Sequence, residues 1–279
     1  MNQLFVKQFN EQSSIHDLHS YSKFKFGSVK QAANMAYELA DMIWNHHQAL
    51  LIANKCVFIS SPYNYVQNAA SLLTEYVVKF LNSKLYNVSE NIIETTLIHR
   101  KVSYTADYGN MNKKMREELI EKDDFFINKD FIKNKILFFV DDIFVTGAHE
   151  RRLQSFLETE QLTNKSFFVY YGLYNGSNEL FEGKLNKVIF ENMSHMDFYT
   201  KAAMNNYKVI VRSIKELLSM EDSKLLQLIL SNIMTFNKPY VYNIYYGALG
   251  EKYHFIPKYH KNFAVLANII RHDSLCPND

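Results

Sequence analysis

The sequence predicts an α/β fold: a mainly parallel sheet flanked by helices, followed by an appended helical or mixed C-terminal part. Three observations predict it. Short apolar runs of β type alternate with segments of helical period from residue 29 to about residue 190. One run, Ile136 to Val140, is apolar throughout, as expected of a strand covered on both faces. Beyond about residue 195 the alternation gives way to longer helical stretches.

In chain order, Val29 to Leu51 reads as a long amphipathic helix carrying Ala32, Ala33, Ala36, Leu39, Ala40 and Ile43 near helical spacing. His46-His47 reads as its end, where imidazoles suit the helix dipole better than they suit a metal site. Cys56 to Ser60 is a strand, Ser61-Pro62-Tyr63-Asn64 a loop, and Val66 to Leu81 a second helix. Ile92 to His99 is the next strand and Met111 to Glu121 a charged, exposed helix. After strand Ile136 to Val140 come helix Glu150 to Leu157, strand Phe167 to Leu173 and a further strand at Lys187 to Phe190. Tyr199 to Met220 and Asp222 to Met234 read as helices, and Tyr240 to Tyr246 is strand-like. The division expected from this order is a core with its N-terminal segment over 1–195 and a hood or extension over 196–279.

Composition narrows the function classes. With 47% hydrophobic and 22% charged residues, and no apolar run near the roughly 18 residues a membrane helix needs, no membrane role is expected. Met1 to Asn10 lacks a secretory apolar stretch, and Cys56 and Cys276 stand alone without a CxxC or Cys/His cluster. Both features agree with a cytoplasmic location, and the cysteines indicate neither a disulfide framework nor a structural zinc site. A net charge of +2, with basic and acidic residues interleaved, does not indicate nucleic-acid binding.

The segment Ile136-Leu137-Phe138-Phe139-Val140-Asp141-Asp142-Ile143-Phe144-Val145-Thr146-Gly147-Ala148-His149 carries the chemistry. An apolar strand delivers two adjacent carboxylates to the carboxyl edge of the sheet, where open parallel sheets bind ligands. Thr146-Gly147 then opens a helix whose free N–H groups and dipole suit a phosphate dianion. Carboxylates beside a phosphate cradle need an intermediary, and the 2- and 3-hydroxyls of a ribose together with Mg²⁺ are suitable. A bare Asp-Asp pair would more often be a capped turn; the Thr-Gly loop at this spacing argues for the ligand.

Phe138 to Gly147 resembles the signature with which type I phosphoribosyltransferases bind 5-phosphoribosyl 1-pyrophosphate (PRPP): an apolar strand, two acidic residues and a short Thr/Gly-rich loop. The resemblance implies a PRPP-dependent, Mg²⁺-dependent transferase of that fold. Asp141 and Asp142 would hold the ribose hydroxyls directly or through the metal, and Val145, Thr146, Gly147, Ala148 and His149 would wrap the 5-phosphate. Two positions depart from the pattern. Val145 stands where purine-salvage members carry an aspartate that exchanges a proton with the base, which disfavours a 6-oxopurine acceptor. Ala148-His149 stands where the loop commonly closes with Thr or Ser.

The resemblance also implies a pyrophosphate-contacting loop after the first core strand, here Ser61, Pro62 and Tyr63. It implies a mobile loop after the second, here Arg100 to Arg116, with five basic residues against one acidic. Arg100 and Lys101 would neutralise the leaving pyrophosphate, with Tyr104 and Arg116 as further contacts. Tyr21-Ser22-Lys23-Phe24-Lys25-Phe26-Gly27 is similar to segments preceding the first helix in some members. In the hood, Tyr245, Tyr246, Tyr253 or His254 could stack on a flat acceptor, although packing is the commoner role for such residues.

The leading expectation is transfer of ribose 5-phosphate from PRPP to a small-molecule acceptor, a base or related nucleophile, with a homodimer left open. The alternative is an inactive PRPP- or nucleotide-sensing regulator on the same fold. Tyr104 to Gly109 with Arg116 and the long C-terminal extension also resembles phosphoribosyltransferase-like proteins of bacterial stress and phage-conflict gene clusters.

Overall fold

The computed structural model describes residues 3–100, 125–176 and 181–275. Strand β1 (Gln3–Phe9) and helix α1 (Ile15–Lys25) precede α2 (Val29–Ala53), β2 (Cys56–Ser60), α3 (Ala69–Leu85) and β3 (Glu94–Thr96). Short strands β4 (His99–Arg100) and β5 (Phe125–Phe126) and the single turn α4 (Lys129–Ile132) lead into β6 (Ile136–Phe144), α5 (Ala148–Thr159), β7 (Ser166–Tyr174) and α6 (Phe181–Lys187). The C-terminal helices are α7 (His195–Met204), α8 (Val211–Leu218), α9 (Ser223–Met234), α10 (Lys238–Gly250) and α11 (His260–Leu275).

The main sheet has the order β1-β7-β6-β2-β3, and every neighbouring pair in it is parallel. Its central strands are buried on both faces because consecutive aromatic residues on β6 point opposite ways. Phe138 stacks between Phe58 and Phe167, at centroid distances of 4.6 and 4.9 Å, under α2 and α3. Phe139 stacks on Phe168 at 5.0 Å on the other face, which α5 covers with Leu153, Phe156 and Leu157. The expected parallel α/β architecture is therefore present, and the C-terminal part is helical rather than mixed.

Side-chain caps set several helix starts. Ser28 accepts from Gln31 N–H to open α2, and Asn68 accepts from Ser71 N–H to open α3, so that helix begins at Ala69 and not Val66. α2 runs through His46 and His47 to Ala53 instead of ending there; His47 packs beside Phe167, 4.5 Å between ring centroids.

Five further expectations change. Ile92 to His99 is not one strand: β3 belongs to the main sheet, whereas β4 pairs antiparallel with β5. β6 extends past Val140 to Phe144, carrying the acidic pair inside the strand. Val188–Glu191 is a 3-10 turn, not a strand. Tyr199 to Met220 is two helices, α7 and α8, separated at residues 205–210. Tyr240 to Tyr246 lies within α10, where Asn237 caps the first turn and Pro239 occupies it, and the helical face buries Tyr240, Val241 and Ile244. The helix expected at Met111 to Glu121 lies outside the described residues.

The C-terminal helices share a core that takes in Phe26, Val66 and Ile189 from earlier in the chain. Backbone contacts tie them to the turns ahead of α2 and α3: Lys208 N–H donates to Gly27 O at 2.9 Å, and Val211 N–H to Gln67 O at 3.0 Å. Gly27 has a φ of +93°, and a Cβ there would lie 2.0 Å from Lys208 O, so the turn between α1 and α2 requires glycine.

Candidate functional site

β2, β6 and β7 run parallel, so their carboxyl ends lie along one edge of the sheet. Along that edge an open cleft of about 830 Å³ is lined by Ser61 and Pro62 after β2, by every residue from Asp141 to Glu150, and by Tyr170 on β7. Lys25, Asn68, Glu182 and Arg212 complete it. The residues expected to hold ribose and phosphate are thus brought together in one place.

The two carboxylates occupy different surroundings because successive residues of a strand face opposite sides. Asp141 Oδ2 lies 2.9 Å from His149 Nδ1, and Ser61 Oγ is 3.4 Å from the same nitrogen. Asp141 Oδ1 also accepts from the Asp142 N–H at 2.8 Å. Burial would raise the Asp141 carboxyl, but the bond and charge of His149, the Ser61 hydroxyl and the Asp142 N–H outweigh it and hold it down at about 2. Asp142, by contrast, forms a buried ion pair with Lys25, whose ammonium also lies 5.7 Å from the Tyr21 ring centroid. Its carboxyl is raised, first by burial and then by the neighbouring Asp141 and Glu182 charges, with Lys25 opposing. Asp141 is the member held ionised; Asp142 is the one that more readily takes a proton.

The loop after the pair is shaped for close approach. Gly147 caps α5 in the left-handed region at φ +70°, and a Cβ there would lie 2.8 Å from Phe144 Cζ and 3.1 Å from Arg151 Nη1. Arg151 Nη1 donates to Thr146 O at 2.9 Å, fixing the loop from outside. Gly147 has no side chain to cap α5; Ala148 N–H makes only a long contact to Thr146 Oγ1, 3.4 Å. Underneath, Glu150 is buried and accepts from Tyr170 Oη at 2.6 Å, Gln3 Nε2 at 2.7 Å and Gln154 Nε2 at 3.0 Å. This carboxylate anchors the start of α5 to β1 and β7 and is not offered to a ligand.

On the far side of the cleft, Asn68 Nδ2 donates to Ser61 O at 3.1 Å and holds the Ser61-Pro62 turn against α3. Tyr63 is not among the lining residues; it forms an isolated parallel bridge with His99. The turn is joined to the C-terminal helices through Glu251, which is buried: its Oε1 accepts from Tyr65 N–H at 2.8 Å and Val66 N–H at 2.7 Å. Arg100 contributes its backbone to β4, and Lys101, Tyr104 and Arg116 lie outside the described residues. Of the tyrosine-rich segment, Tyr253 is buried in the helical core, and Tyr245 stacks on Phe263 at 5.8 Å. Neither lines the cleft; nor do Tyr246 and His254.

Sequence reasoning did not single out Asn68, Glu150, Tyr170, Glu182 or Arg212, and it noted Lys25 only as part of a segment. Asn68 had a local signal, an Asn ahead of an Ala-rich helix start. The others come from α1, α5, α6, α8 and β7 and meet only through the tertiary fold. Among the described residues, no group of three or more His, Cys, Asp and Glu side chains forms a metal-binding cluster. No helix among them is long and apolar enough to cross a membrane.

A family model described as PRTase ComF-like matches residues 4–266. Among solved structures, the chain is similar to a hypoxanthine-guanine phosphoribosyltransferase from Bacillus anthracis, at 18% identity over 56% of this chain and 74% of that one, with a TM-score of 0.31. It is similar to a hypoxanthine phosphoribosyltransferase from Trypanosoma cruzi at 15% identity, over 55% and 80% of the two chains, TM-score 0.35. For one from Staphylococcus aureus the values are 10%, 61%, 84% and 0.34. No curated protein matches.

Proposed function

Because the chain belongs to the PRTase ComF-like family, we propose that it transfers ribose 5-phosphate from PRPP to a small nucleophilic acceptor and releases pyrophosphate. The observation that carries this reading is the placement of Asp141 and Asp142 on the same cleft edge as the Gly147-headed start of α5.

In this reading the first-turn N–H groups of α5 and the Thr146 hydroxyl bind the 5-phosphate, where the helix dipole favours a dianion. Asp141 and Asp142 accept from the ribose 2- and 3-hydroxyls. Bond cleavage at the anomeric carbon leaves positive charge on the sugar and negative charge on the departing pyrophosphate, so anionic groups belong below the ribose and cationic or N–H groups beside the leaving group. The Ser61 hydroxyl would serve on that second side, with Pro62 shaping the turn, and the reading assigns Arg100, Lys101, Tyr104 and Arg116 to it as well.

Mg²⁺ fits the donor set, since it binds through one or two carboxylates plus substrate oxygens and keeps several waters rather than needing a protein cage. Asp141 and Asp142 would hold it together with PRPP. When bound, it supplies charge neutralisation for the pyrophosphate. Lys25 and His149 hold the carboxylates in the meantime.

In this reading the acceptor would lie beside Glu182 and Arg212, which line the cleft next to the Lys25–Asp142 pair. With Val145 in place of a carboxylate, the loop offers no proton-exchanging group to a 6-oxopurine, so the reading favours an acceptor recognised through charged edges. Residues 196–279 serve as the hood, a role supported by Arg212 reaching the cleft from α8. The buried free thiol of Cys56 accords with a cytoplasmic setting.

Isothermal titration calorimetry with PRPP and Mg²⁺ tests the reading, followed by pyrophosphate release against a panel of bases and related nucleophiles. Saturable binding that is lost in Asp141→Asn/Asp142→Asn is expected. Absence of binding by the wild type, or unchanged binding in that variant, overturns it.

A further inference from the structure

A second pocket, of about 930 Å³, opens on the other side of α1 from the cleft and is lined by Lys23, Ser28, Lys30, Gln31, Met193, Phe198, Lys201, Asn205 and Tyr207. Its charge is one-sided. Three lysines border it and no Asp or Glu does, although the chain as a whole is nearly neutral at +2. Other lysines are paired, as Lys79 and Lys208 are with Glu75 and Lys84 is with Asp41. Lys23, Lys30 and Lys201 form no ion pair among the described residues. The nearest acid on the helix that supplies Lys201 is Asp197, one turn earlier, and it is engaged with Ser194 at the start of α7.

Three ammonium groups held round one concavity repel each other, a cost that an anion between them removes. The other lining groups are of the kind that a phosphorylated ligand uses. Gln31 offers a polar side chain, and the partly exposed Tyr207, with Met193, gives an aromatic and apolar wall on which a flat group can rest; Ser28 and Phe198 are buried behind them, Ser28 as the cap of α2. The pocket also receives the first turn of α2, a helix of 25 residues with no acidic residue there to offset its dipole.

We propose that this pocket binds a multiply phosphorylated small molecule, with the phosphates among Lys23, Lys30 and Lys201 and any ring against Tyr207. The site is separate from the cleft and does not depend on the transferase reading: Lys23 and Lys25 lie on the same last turn of α1, but Lys23 lines this pocket and Lys25 the cleft.

The full chain is titrated by calorimetry with inorganic triphosphate, ATP and adenosine in separate runs, using wild type, Lys30→Gln/Lys201→Gln, and Thr146→Asp, which places a negative charge in the cleft loop. Lys30 and Lys201 are exposed, so their replacement leaves the fold intact, checked by thermal unfolding. Expected are saturable binding of triphosphate or ATP by wild type, weakening of at least about tenfold in the double lysine variant, and retention in Thr146→Asp. Tighter binding of ATP than of triphosphate identifies a nucleotide as the ligand; equal binding identifies the phosphate chain alone. No binding, binding unaffected by the lysine changes, or binding lost in Thr146→Asp overturns the proposal, the last because the anion then sits in the cleft.

Discussion

Lys25, in the last turn of α1, forms a buried ion pair with Asp142 on β6, 117 positions further along the chain. The pair joins the N-terminal helix to the carboxyl edge of the sheet and sets a cation against the acidic pair.

Removing either partner strands the other charge in the interior. Lys25→Met and Asp142→Asn are each expected to lower stability by about 3 kcal/mol, whereas the double variant loses less than the sum, because no lone charge remains. Urea unfolding of the three variants measures the coupling; strictly additive losses would show that the pair is not a unit.

The acid limb of stability is expected to depend on Asp141. Its carboxyl is held at about 2 in the folded protein against 3.8 ordinarily. A lowered folded-state value means that the contribution, roughly 2 kcal/mol, is complete above about pH 4 and is lost as pH falls toward 2. Asp142, raised instead of lowered, acts in the opposite sense, favouring the folded state as it takes up its proton. Unfolding free energies from pH 2 to 5 should therefore fall less steeply in Asp141→Asn than in the wild type.

Gly147→Ala puts a side chain at φ +70° and within 2.8 Å of the Phe144 ring. A stability loss of about 1–2 kcal/mol follows from the backbone alone. PRPP affinity should drop further than stability, since the α5 N–H groups move; calorimetry and thermal unfolding on the same variant separate the two effects.

Glu251→Ala leaves the N–H groups of Tyr65 and Val66 without their acceptor. A cost of about 2–3 kcal/mol is expected, with faster hydrogen exchange confined to residues 61–66 and the start of α3. Unchanged exchange there would show that the turn is held by Asn68 without help from Glu251.

Much of the fold was legible because it rests on local pattern. The wholly apolar Ile136–Val140 run and the aromatic Phe167–Leu173 run are the two central strands, and the acidic pair and Gly147 lie on one continuous segment. Misreadings came where composition and cap signals disagree. The Tyr- and Val-rich run after residue 239 suits a strand by propensity, yet Asn237 and Pro239 start a helix, and packing of Val241 and Ile244 into the helical core decides the outcome. β1 was not anticipated because its apolar run is only three residues long, Leu4-Phe5-Val6, and is followed at once by Lys7 and Gln8, although Leu4 and Val6 pack on one face of the sheet and Phe5 on the other. Lys25, Glu182 and Arg212 could not be placed from sequence, since each enters the cleft from a helix remote in sequence from β6.

Glu251 grips the turn after β2 by main-chain N–H groups, which every residue except proline supplies. The hold is therefore indifferent to the side chains at positions 65 and 66, so far as the hydrogen bonds go. Steric fit is not: a Cβ at Gly250 would lie 2.0 Å from the Tyr65 ring. An engineer can thus rewrite position 65 toward smaller residues while the turn stays fastened, but can enlarge position 250 only after Tyr65 has been cut back.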